Sequence, residues 1–351
     1  MLKRDVDVLV IGAGQAGLAA GYFLQQTGIS YLIIDKNEEI GAVWKSRYDS
    51  LVLFTPRHYS SLPGLAMTGE GNGYPSKDEV ARYLQTYAKR FSLNIQLNTE
   101  LIRLQQDGSG FRCWTASGVI QARRIIVATG PFQRPYVPGF SQEVPMSVRQ
   151  LHSTSYRNLT QLQEGAVLVV GGGNSGAQIA EELAGEREVY LSVGHRMKFL
   201  PLQWLGKSVF WWLDKLGLLR ADGNLFWGRK LRRMEDPVFG SPIPQLIRTG
   251  QVRMKPRAVR ISSGKIEFED GTKLSPDNVI WATGFRPDYS WLEIPGVLDE
   301  NGRPVHSRGV STTVPNLYYV GLPWQYNRAS ALLTGVGSDA EYIVNHLRTN
   351  M

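Results

Sequence analysis

Short apolar runs, each followed by a glycine-rich turn and a helical stretch, recur along the chain. Residues 6–11 and 31–34 are the apolar runs of a first unit, and residues 18–26 between them have a helical pattern. The same order returns at residues 166–170, 177–184 and 189–193. Apolar runs of this kind are typical of parallel strands that are buried on both faces. The pattern therefore predicts an α/β fold with two Rossmann-like units.

The first turn has the spacing GxGxxG, with glycines at Gly12, Gly14 and Gly17. In this spacing the first glycine permits a tight turn, the second lets a pyrophosphate approach the backbone, and the third lets the helix pack closely on the strand. Asp35 ends the second apolar run, where a carboxylate can accept hydrogen bonds from ribose hydroxyls. A glycine-rich turn alone is the simpler interpretation, but the surrounding strand, helix and acid favour a dinucleotide site.

The second unit repeats this spacing at residues 171–176 but has no acid after its second strand. His195 and Arg196 occupy that position instead, and Ser192 lies just before them. These side chains can bind a 2′-phosphate that no carboxylate repels, so the pattern favours NADP over NAD. The alternative is that His195 and Arg196 are solvated loop residues.

Two strand-like segments, residues 125–130 and 279–284, both end in Ala-Thr-Gly, and prolines follow each. Each is compatible with a plain buried strand that glycine and proline terminate. Their position after each nucleotide unit predicts instead two points where the chain crosses between domains. We therefore expect a first domain of residues 1–145 that resumes at 285–351, and a second, nucleotide-binding domain of residues 146–284 inserted into it.

Composition narrows the class of protein. The chain has 351 residues, of which 42% are hydrophobic, and a chain of this length is expected to form roughly two packed domains. A single cysteine, Cys113, excludes an internal disulfide and a CxxC pair, and with them the dithiol reductases. The five histidines are far apart, so we predict no metal site. No apolar run is long enough to span a membrane and residues 1–7 are charged, so we expect a cytoplasmic protein.

The formal charge of +8 is concentrated in residues 198–260, which we call the insert. The insert contains thirteen basic and four acidic residues, and four of the nine tryptophans: Trp204, Trp211, Trp212 and Trp227. Three interpretations stay open: a helical excursion packed on its own sheet, a lid over the active-site cleft, and a weak membrane-surface contact through tryptophan, lysine and arginine. Nucleic-acid binding is disfavoured, because bulky apolar residues separate the basic ones and no nucleic-acid module accompanies them.

Together these motifs resemble the flavin-containing monooxygenases, flavoproteins with two dinucleotide-binding domains, over nearly the whole chain. The resemblance also rests on residues 41–44, 48–56, 317–322 and 335–341. It implies that FAD binds the first turn and that NADPH, with NADH left open, binds the second. The predicted cofactor-binding residues are Gly12, Gly14, Gln15, Ala16, Gly17, Asp35, Lys36, Val43, Trp44, Thr129, Gly130, Gly171, Gly173, Asn174, Ser175, Gly176, Ser192, His195, Arg196, Thr283, Gly284, Gly321 and Leu322.

The family's linker fingerprint, Phe-x-Gly-x-x-x-His-x-x-x-Tyr, matches in its second half only. Met146 and Val148 stand where it has phenylalanine and glycine, whereas His152 and Tyr156 match. The resemblance implies that His152 and Tyr156 steady the interdomain angle and the nicotinamide; an ordinary interdomain hydrogen bond is the alternative for His152. Baeyer–Villiger relatives usually have tryptophan where Tyr156 stands, so the tyrosine favours heteroatom oxygenation.

The loop after the first unit has a second departure from the family. Phe54 stands near the position where many members have an asparagine, so a polar contact to the flavin is absent from the pattern. Phe54, His152 and Tyr156 are the candidate catalytic residues. Trp44 is a candidate flavin contact, with a core tryptophan as the alternative.

The resemblance implies a monooxygenase that uses NADPH, FAD and dioxygen to oxygenate a sulfide or an amine through a flavin hydroperoxide. An NAD(P)H:acceptor oxidoreductase or an NADPH oxidase on the same scaffold is the first alternative, and a redox-sensing nucleotide-binding protein without turnover is the second. The expected partners are a small-molecule substrate and dioxygen. A homodimer is left open.

Overall fold

A computed structural model describes residues 2–223, 225–234 and 236–350, without the side chains of residues 2–4, 227 and 231. The interpretation of the insert includes Trp227 and Glu235, but the Trp227 side chain and Glu235 lie outside this described part.

The first part of the chain forms a unit of parallel strands and helices that an antiparallel meander extends. Its strands are β1 (Leu2–Ile11), β2 (Tyr31–Ile34), β3 (Ile95–Gln96), β4 (Leu101–Asp107), β5 (Gly110–Thr115), β6 (Gly118–Val127) and β7 (Arg134–Pro135), and its helices are α1 (Gln15–Gln25), α2 (Ala42–Lys45) and α3 (Lys77–Arg90). Helix α3 begins with a capping box, in which Ser76 and Glu79 bind each other's backbone N–H.

The middle of the chain repeats the strand–helix–strand order. Its strands are β8 (Arg149–His152), β9 (Val167–Val170), β10 (Val189–Ser192), β11 (Phe199–Leu200), β12 (Gln203–Trp204), β13 (Lys207–Ser208), β14 (Val238–Phe239), β15 (Val252–Lys255), β16 (Ala258–Ser262), β17 (Lys265–Phe268), β18 (Lys273–Leu274) and β19 (Asn278–Trp281), and its helices are α4 (Asn174–Leu183), α5 (Val209–Lys215), α6 (Phe226–Arg232) and α7 (Ile243–Arg248). The last part contributes β20 (Phe285–Arg286), β21 (His306–Ser307), β22 (Val310–Ser311), β23 (Leu317–Tyr319) and α8 (Leu333–Thr349).

The first domain is built on one sheet that contains strands from both ends of the chain. Within the described residues this sheet has nine strands, in the order β21-β22-β23-β6-β1-β2-β3 with β4 and β5 added beside β6. Strand β23, from the last part of the chain, pairs in parallel with β6. Because β1 lies between β6 and β2, its residues Val8, Leu9 and Val10 are fully buried. The helices α1, α3 and α8 cover one face of this sheet.

The second domain is inserted between these two parts. In the described residues its main sheet has five parallel strands in the order β15-β10-β9-β19-β8. Helices α4 and α7 cover one face. The antiparallel strands β16 and β17 supply Ala258, Ile266 and Phe268 to the core on the other face. The prediction of an α/β fold with one Rossmann-like domain inserted into another is confirmed.

The chain passes between the two domains twice, and the two passages pair with each other. Strand β7 follows the first Ala-Thr-Gly turn, β20 follows the second, and they form an antiparallel ribbon. The Thr283 hydroxyl donates a hydrogen bond to the Tyr136 carbonyl, and the Tyr136 N–H donates to the Gly284 carbonyl at 3.0 Å. This ribbon therefore couples the ends of the two central strands β6 and β19.

Both Rossmann helices begin earlier than the sequence pattern predicts. Helix α1 begins at Gln15 instead of residue 18, and α4 begins at Asn174 instead of residue 177. The third glycine of each turn, Gly17 or Gly176, lies inside the helix, because the helix needs a residue without a Cβ where it crosses the turn. A helical pattern read from apolar residues alone misses this first turn.

Candidate functional site

The glycines of the first turn have two different roles. Gly12 has a φ of +107°, and a Cβ at Gly17 would lie 1.8 Å from the Gly12 carbonyl oxygen. Both are therefore required by the fold itself. By contrast, a Cβ at Gly14 would meet nothing within 4 Å. Gly14 is the N-cap of α1 and no side chain caps this helix, so its first N–H groups face an open space that suits a phosphate.

The second turn has the same geometry. Gly171 has a φ of +123°, and a Cβ at Gly176 would lie 1.9 Å from the Gly171 carbonyl oxygen. Gly173 is the N-cap of α4, has no side-chain cap, and has open space around it. In each domain a Cβ on the first glycine would also strike the alanine of an Ala-Thr-Gly turn, Ala128 or Ala282. The two domains therefore present equivalent cradles for a dinucleotide, and the residues present fit FAD and a nicotinamide nucleotide.

Asp35 lies at the end of β2 and holds the first glycine turn through hydrogen bonds to the backbone. Its carboxylate accepts hydrogen bonds from the N–H of Ala13 at 2.7 Å and from the N–H of Asn37 at 2.8 Å. Each oxygen retains accepting capacity, so the predicted contact with ribose hydroxyls stays a prediction. Lys36 beside it is exposed.

The residues at the end of β10 and in the turn after it differ in whether they can bind the predicted 2′-phosphate. The Ser192 hydroxyl is buried, donates to the Pro256 carbonyl at 2.7 Å and accepts from the Ala258 N–H at 3.1 Å. It serves the turn between β15 and β16, so the expected phosphate contact of Ser192 is not supported. His195 and Arg196 are exposed, and a third cation, Arg257, lies against Gly194 with a guanidinium nitrogen 3.4 Å from its carbonyl oxygen.

The first residues of α4 contact other segments of the protein. The Asn174 side chain donates to the Pro237 carbonyl at 3.2 Å and accepts from the Phe239 N–H at 3.0 Å. It therefore holds β14 of the insert, and the expected cofactor contact through this side chain is not supported. Ser175 lies beside the Tyr48 hydroxyl.

The amino end of α8 lies beside the amino end of α1. The Gln15 amide donates to the Ala331 carbonyl at 3.5 Å, and a Cβ at Gly321 would lie 2.7 Å from the Ala16 Cβ. Helix α8 has no side-chain cap at Leu332. The resemblance implies that backbone N–H groups of residues 335–341, near this uncapped end, meet the flavin end of FAD. Leu322 is buried in the core on the opposite face of the sheet.

The remaining predicted first-domain residues differ in exposure. Val43 is exposed, and Trp44 is half-buried and packs on the core under α1 and α3. A flavin contact of Trp44 stays a prediction beside this packing role. The Gln133 amide donates to the Thr129 hydroxyl at 2.8 Å and to the Gly130 carbonyl at 2.7 Å, which fixes the turn that opens the ribbon.

His152 lies at the end of β8, against the second passage between the domains. Its Nδ1 accepts from the Thr154 N–H at 3.2 Å, so the proton lies on Nε2, which donates to the Gly284 carbonyl at 3.1 Å. Its ring packs edge-on against Phe285. Burial lowers the pKa of His152, and the nearby Arg47 guanidinium acts in the same direction. His152 is therefore a neutral imidazole that holds the turn before β20.

Tyr156 is fully buried and donates a hydrogen bond to Glu182 of α4 at 2.8 Å. Glu182 also accepts from Ser50 of the first domain. One turn earlier on α4, Gln178 accepts from the Tyr48 hydroxyl at 2.9 Å and donates to the Val52 carbonyl at 3.1 Å. The linker tyrosine thus belongs to an interdomain contact in which one face of α4 holds residues 48–52. A nicotinamide contact of Tyr156 stays a prediction.

Phe54 belongs to an aromatic cluster between the first domain and the insert. Its ring stacks on Phe239 at a centroid distance of 4.8 Å and on Phe210 at 5.9 Å. Leu219 of the insert and Ala329 of the first domain also belong to this cluster. The interpretation in which the insert packs only on its own sheet is therefore wrong for Phe210 and Phe239. The insert covers the loop that contains Phe54.

A cavity of about 500 Å³ lies between the insert and the first domain. Its wall is formed by Pro56, His58, Tyr59, Asn72 and Thr334 of the first domain and by Lys207, Ser208, Trp211, Asp214 and Arg220 of the insert. Thr334 is in the first turn of α8, so one end of the cavity lies beside the uncapped helix terminus. The size lies within the usual range of small-molecule sites.

Comparison with known proteins agrees with this arrangement. A family model described as pyridine nucleotide-disulphide oxidoreductase matches residues 9–198. An uncharacterized CzcO-like oxidoreductase of Geobacillus kaustophilus is 56% identical, over 99% of both chains. The structure of a flavin-containing monooxygenase from Stenotrophomonas maltophilia is similar, with a TM-score of 0.82, 32% identity and 99% of each chain covered. This chain belongs to the flavin-containing monooxygenase family.

A plant relative and a structurally similar reductase extend this comparison. A probable indole-3-pyruvate monooxygenase of Arabidopsis thaliana, YUCCA3, is 30% identical over 84% of this chain and 77% of its own length. A bacillithiol disulfide reductase of Bacillus cereus has the same fold, with a TM-score of 0.75 and 21% identity. The chain is therefore a flavin-dependent enzyme, an oxidoreductase of the monooxygenase type.

The single thiol of this monooxygenase is not suited to redox chemistry. Cys113 is fully buried in the core of β4, β5 and β6, and burial raises the pKa of its thiol to about 12. The thiolate is the reactive form of cysteine, and it is strongly disfavoured at that pKa.

No helix in the described residues combines the length and the apolar character needed to cross a bilayer.

Several residues of this site were not predicted from the sequence. Arg47 was missed because its guanidinium lies 5.0 Å from the centre of the Phe285 ring, and that contact joins segments far apart in the chain. Arg257 and Gln178 were missed for the same reason. The one available signal for Arg257 is the run of basic residues at positions 253, 255, 257 and 260. Arg257 lies in the turn after β15, the parallel partner strand of β10.

Proposed function

We propose that this enzyme uses NADPH and dioxygen to transfer one oxygen atom to a small soft nucleophile, a sulfide or an amine. For a sulfide, one oxygen atom forms the new S–O bond and the other leaves as water. NADPH supplies the hydride, and a solvent proton completes the water. The observation that carries this proposal is the pair of open glycine turns, one at the amino end of α1 and one at the amino end of α4, joined by the β7–β20 ribbon.

The two turns bind and orient the cofactors. Bound FAD would supply the two-electron activation of dioxygen, which no amino-acid side chain provides. The uncapped N–H groups of α1 and α4 bind the phosphates of the two nucleotides. The backbone contact of Gly284 with neutral His152 keeps the second Ala-Thr-Gly turn in place beside the ribbon.

The cluster of Phe54, Phe210 and Phe239 excludes water from the flavin end of the cleft. Exclusion of water matters here because an activated oxygen species that meets water is lost as hydrogen peroxide. The insert brings two of these three rings to the first domain. Its proposed role is therefore that of a lid.

The side chains after β10 favour NADPH over NADH. His195 and Arg196 lie in the turn after β10, Arg257 contacts Gly194 of the same turn, and no carboxylate follows this strand. Guanidinium groups bind phosphate with charge-assisted hydrogen bonds. The 2′-phosphate of NADPH would lie among these side chains.

Relatives support the class of reaction. The Stenotrophomonas and Arabidopsis proteins are both named as monooxygenases, the second for indole-3-pyruvate. An NADPH oxidase is the second candidate function, because Phe54 lies in an apolar cluster where many family members have an asparagine.

The ratio of products tests the proposal. The FAD-loaded enzyme is mixed with NADPH, oxygen and thioanisole, and sulfoxide and hydrogen peroxide are each counted per NADPH consumed. We expect more sulfoxide than peroxide, and faster turnover with NADPH than with NADH. Peroxide without sulfoxide would identify an oxidase, and NADPH consumption that requires a quinone or dye would identify an acceptor reductase.

A further inference from the structure

The wall of the cavity between the insert and the first domain contains charged and aromatic side chains. The cavity ends beside Thr334, in the first turn of α8, and Pro56 in its wall follows Thr55 directly. Its wall therefore includes residues in or directly beside the two segments that the resemblance places near the flavin. A molecule in this cavity is held by the insert on one side and by the first domain on the other.

The acidic residue in the cavity wall is already neutralised by its neighbours. Asp214 accepts a hydrogen bond from the Tyr59 hydroxyl at 3.3 Å and pairs with Arg220 at 3.5 Å. Lys207 has no carboxylate partner among the described residues, and its ammonium lies 5.8 Å from the centre of the Trp211 ring. The wall therefore combines an uncompensated positive charge with an aromatic surface.

We propose that the substrate carries a carboxylate, which Lys207 binds with help from Arg220, and an apolar or aryl group, which lies against Trp211. This inference rests on the proposed monooxygenase function and narrows its substrate class. A carboxylate gains a charge-assisted hydrogen bond from the ammonium group. A protonated amine would be repelled by Lys207, so among soft nucleophiles a thioether acid is favoured over an amine.

Three probes with one thioether and different charges test the proposal. They are (phenylthio)acetate, its neutral methyl ester, and the cationic 2-(phenylthio)ethylamine. Binding to the FAD-loaded enzyme is measured by isothermal titration calorimetry, and KM and kcat are measured for sulfoxide formation. We expect the acid to bind about tenfold more tightly than the ester, as for a hydrogen bond to a charged group, and the amine to bind more weakly than both.

Substitutions in the cavity wall test whether the preference for the acid arises from this cavity. Lys207→Met should raise both the Kd and the KM of the acid about tenfold, with kcat and ester binding unchanged, because one charged contact is lost. Arg220→Met should also raise them, because it removes a cation and leaves the Asp214 carboxylate without its ion-pair partner. Lys215→Met is the matched control, since its ammonium lies at the same 5.8 Å from the Trp211 ring but outside the cavity wall. It should leave the Kd of the acid unchanged.

Three results would overturn the proposal: no binding of the acid, equal binding of acid and ester, or equal effects of Lys207→Met and Lys215→Met. Unchanged ester binding by each variant shows that the cavity is still folded. The proposed function is tested separately by thioanisole, which has no charge. Sulfoxide from thioanisole without selectivity for the acid would reject this substrate class and leave the monooxygenase in place.

Discussion

At the scale of single residues, the glycines of the two turns separate a requirement of folding from a requirement of binding. Gly17 and Gly176 lie inside helices, and a Cβ at either would overlap a carbonyl oxygen of the same turn. Gly14 and Gly173 have space for a Cβ, so the protein alone does not need glycine there. Only a ligand that approaches the backbone closely would require it.

Substitution of Gly14 or Gly173 should therefore weaken the binding of one cofactor without affecting the other. Gly14→Ala should keep the melting temperature of the apoprotein and reduce its FAD content. Gly173→Ala should keep the FAD content and raise the KM for NADPH. Each variant is the control for the other, and absorbance of bound flavin together with steady-state kinetics measures both effects. Gly17→Ala should instead lower the yield of folded protein, because the overlap forces the helix away from the strand. Unchanged FAD content in Gly14→Ala would contradict this assignment.

We expect the lowered pKa of His152 to make the free energy of unfolding depend on pH. Burial holds its pKa below the value of an unfolded histidine, so the unfolded chain takes up a proton first as the pH falls. The free energy of unfolding then has its full His152 contribution above about pH 6.5 and loses it progressively below that value. The gap in urea midpoint between the wild type and His152→Gln should shrink from pH 7.5 to pH 5.5. A gap of constant size would show that the pKa of His152 is the same in the folded and unfolded states.

At the scale of elements, the turn after β10 is built by two strands together. Its cations, Arg196 and Arg257, come from the ends of β10 and β15, which are parallel neighbours. Parallel strands bring their carboxyl ends to one edge of a sheet, where nucleotides bind.

Removal of these cations should change the choice of nucleotide. Arg257→Ser and Arg196→Ser should each raise the KM for NADPH about tenfold, the effect of one lost hydrogen bond to a charged group, without a change for NADH. Arg253→Ser is the control, because Arg253 is an exposed cation near the start of the same strand β15, where it pairs with Glu188. Equal KM changes for NADPH and NADH would argue against a 2′-phosphate contact.

The insert contains a hairpin with an apolar tip. Strands β12 and β13 pair antiparallel, and the two residues between them, Leu205 and Gly206, both have positive φ. Leu205 is 72% exposed and Trp204 beside it is 56% exposed. A large apolar residue is unusual in this conformation, which favours asparagine or glycine. The tip therefore retains an apolar side chain at a position where local stability favours a polar one.

The membrane-surface contact of the insert stays a prediction, and this tip is where it can be tested. Leu205→Asn should reduce co-sedimentation of the FAD-loaded enzyme with vesicles that contain anionic phospholipid. It should not lower the melting temperature, because asparagine adopts positive φ more readily than leucine. Vesicles of neutral phosphatidylcholine are the lipid control. Equal binding of the variant and the wild type would exclude the tip as the membrane contact.

At the scale of the whole molecule, the two domains meet at the ribbon, at the aromatic cluster around Phe54, and along α4. The α4 contact is polar and specific: Gln178 and Glu182, one turn apart, hold residues 48–52 of the first domain. The relative position of the two cofactors depends on these contacts, because each domain contains only one of the turns.

A double-mutant cycle measures this interdomain contact. Gln178→Ala leaves the buried Tyr48 hydroxyl without its acceptor and should cost about 1–3 kcal/mol in the free energy of unfolding. Tyr48→Phe removes the hydroxyl, so the double variant should lose less than the sum of the single variants, with a coupling of about 1 kcal/mol. Urea unfolding of the FAD-loaded enzyme gives these values. Additive losses would mean that the two side chains do not interact in solution.

Glycine positions and the order of elements were easier to predict from the sequence than the partners of polar and aromatic side chains. The glycine spacings, the order of strands and helices and the two Ala-Thr-Gly turns were all evident before the structure. Side-chain roles were less predictable: Ser192 binds the backbone of residues 256–258, Asn174 binds the insert, and Phe54 stacks with two rings from another domain. Each of these partners is more than 60 positions away in the chain.

The sequence by itself determined the local elements of this protein, because a glycine that must have positive φ or no Cβ shows in the spacing of a few neighbouring residues. It also determined the class of cofactor, since a phosphate cradle is built from one turn and one helix end. Only the tertiary structure decided where the insert packs, which cations surround the nucleotide turn, and what lines the substrate cavity. Those features depend on contacts between distant segments, and the path of the chain between them is set by packing of the whole molecule.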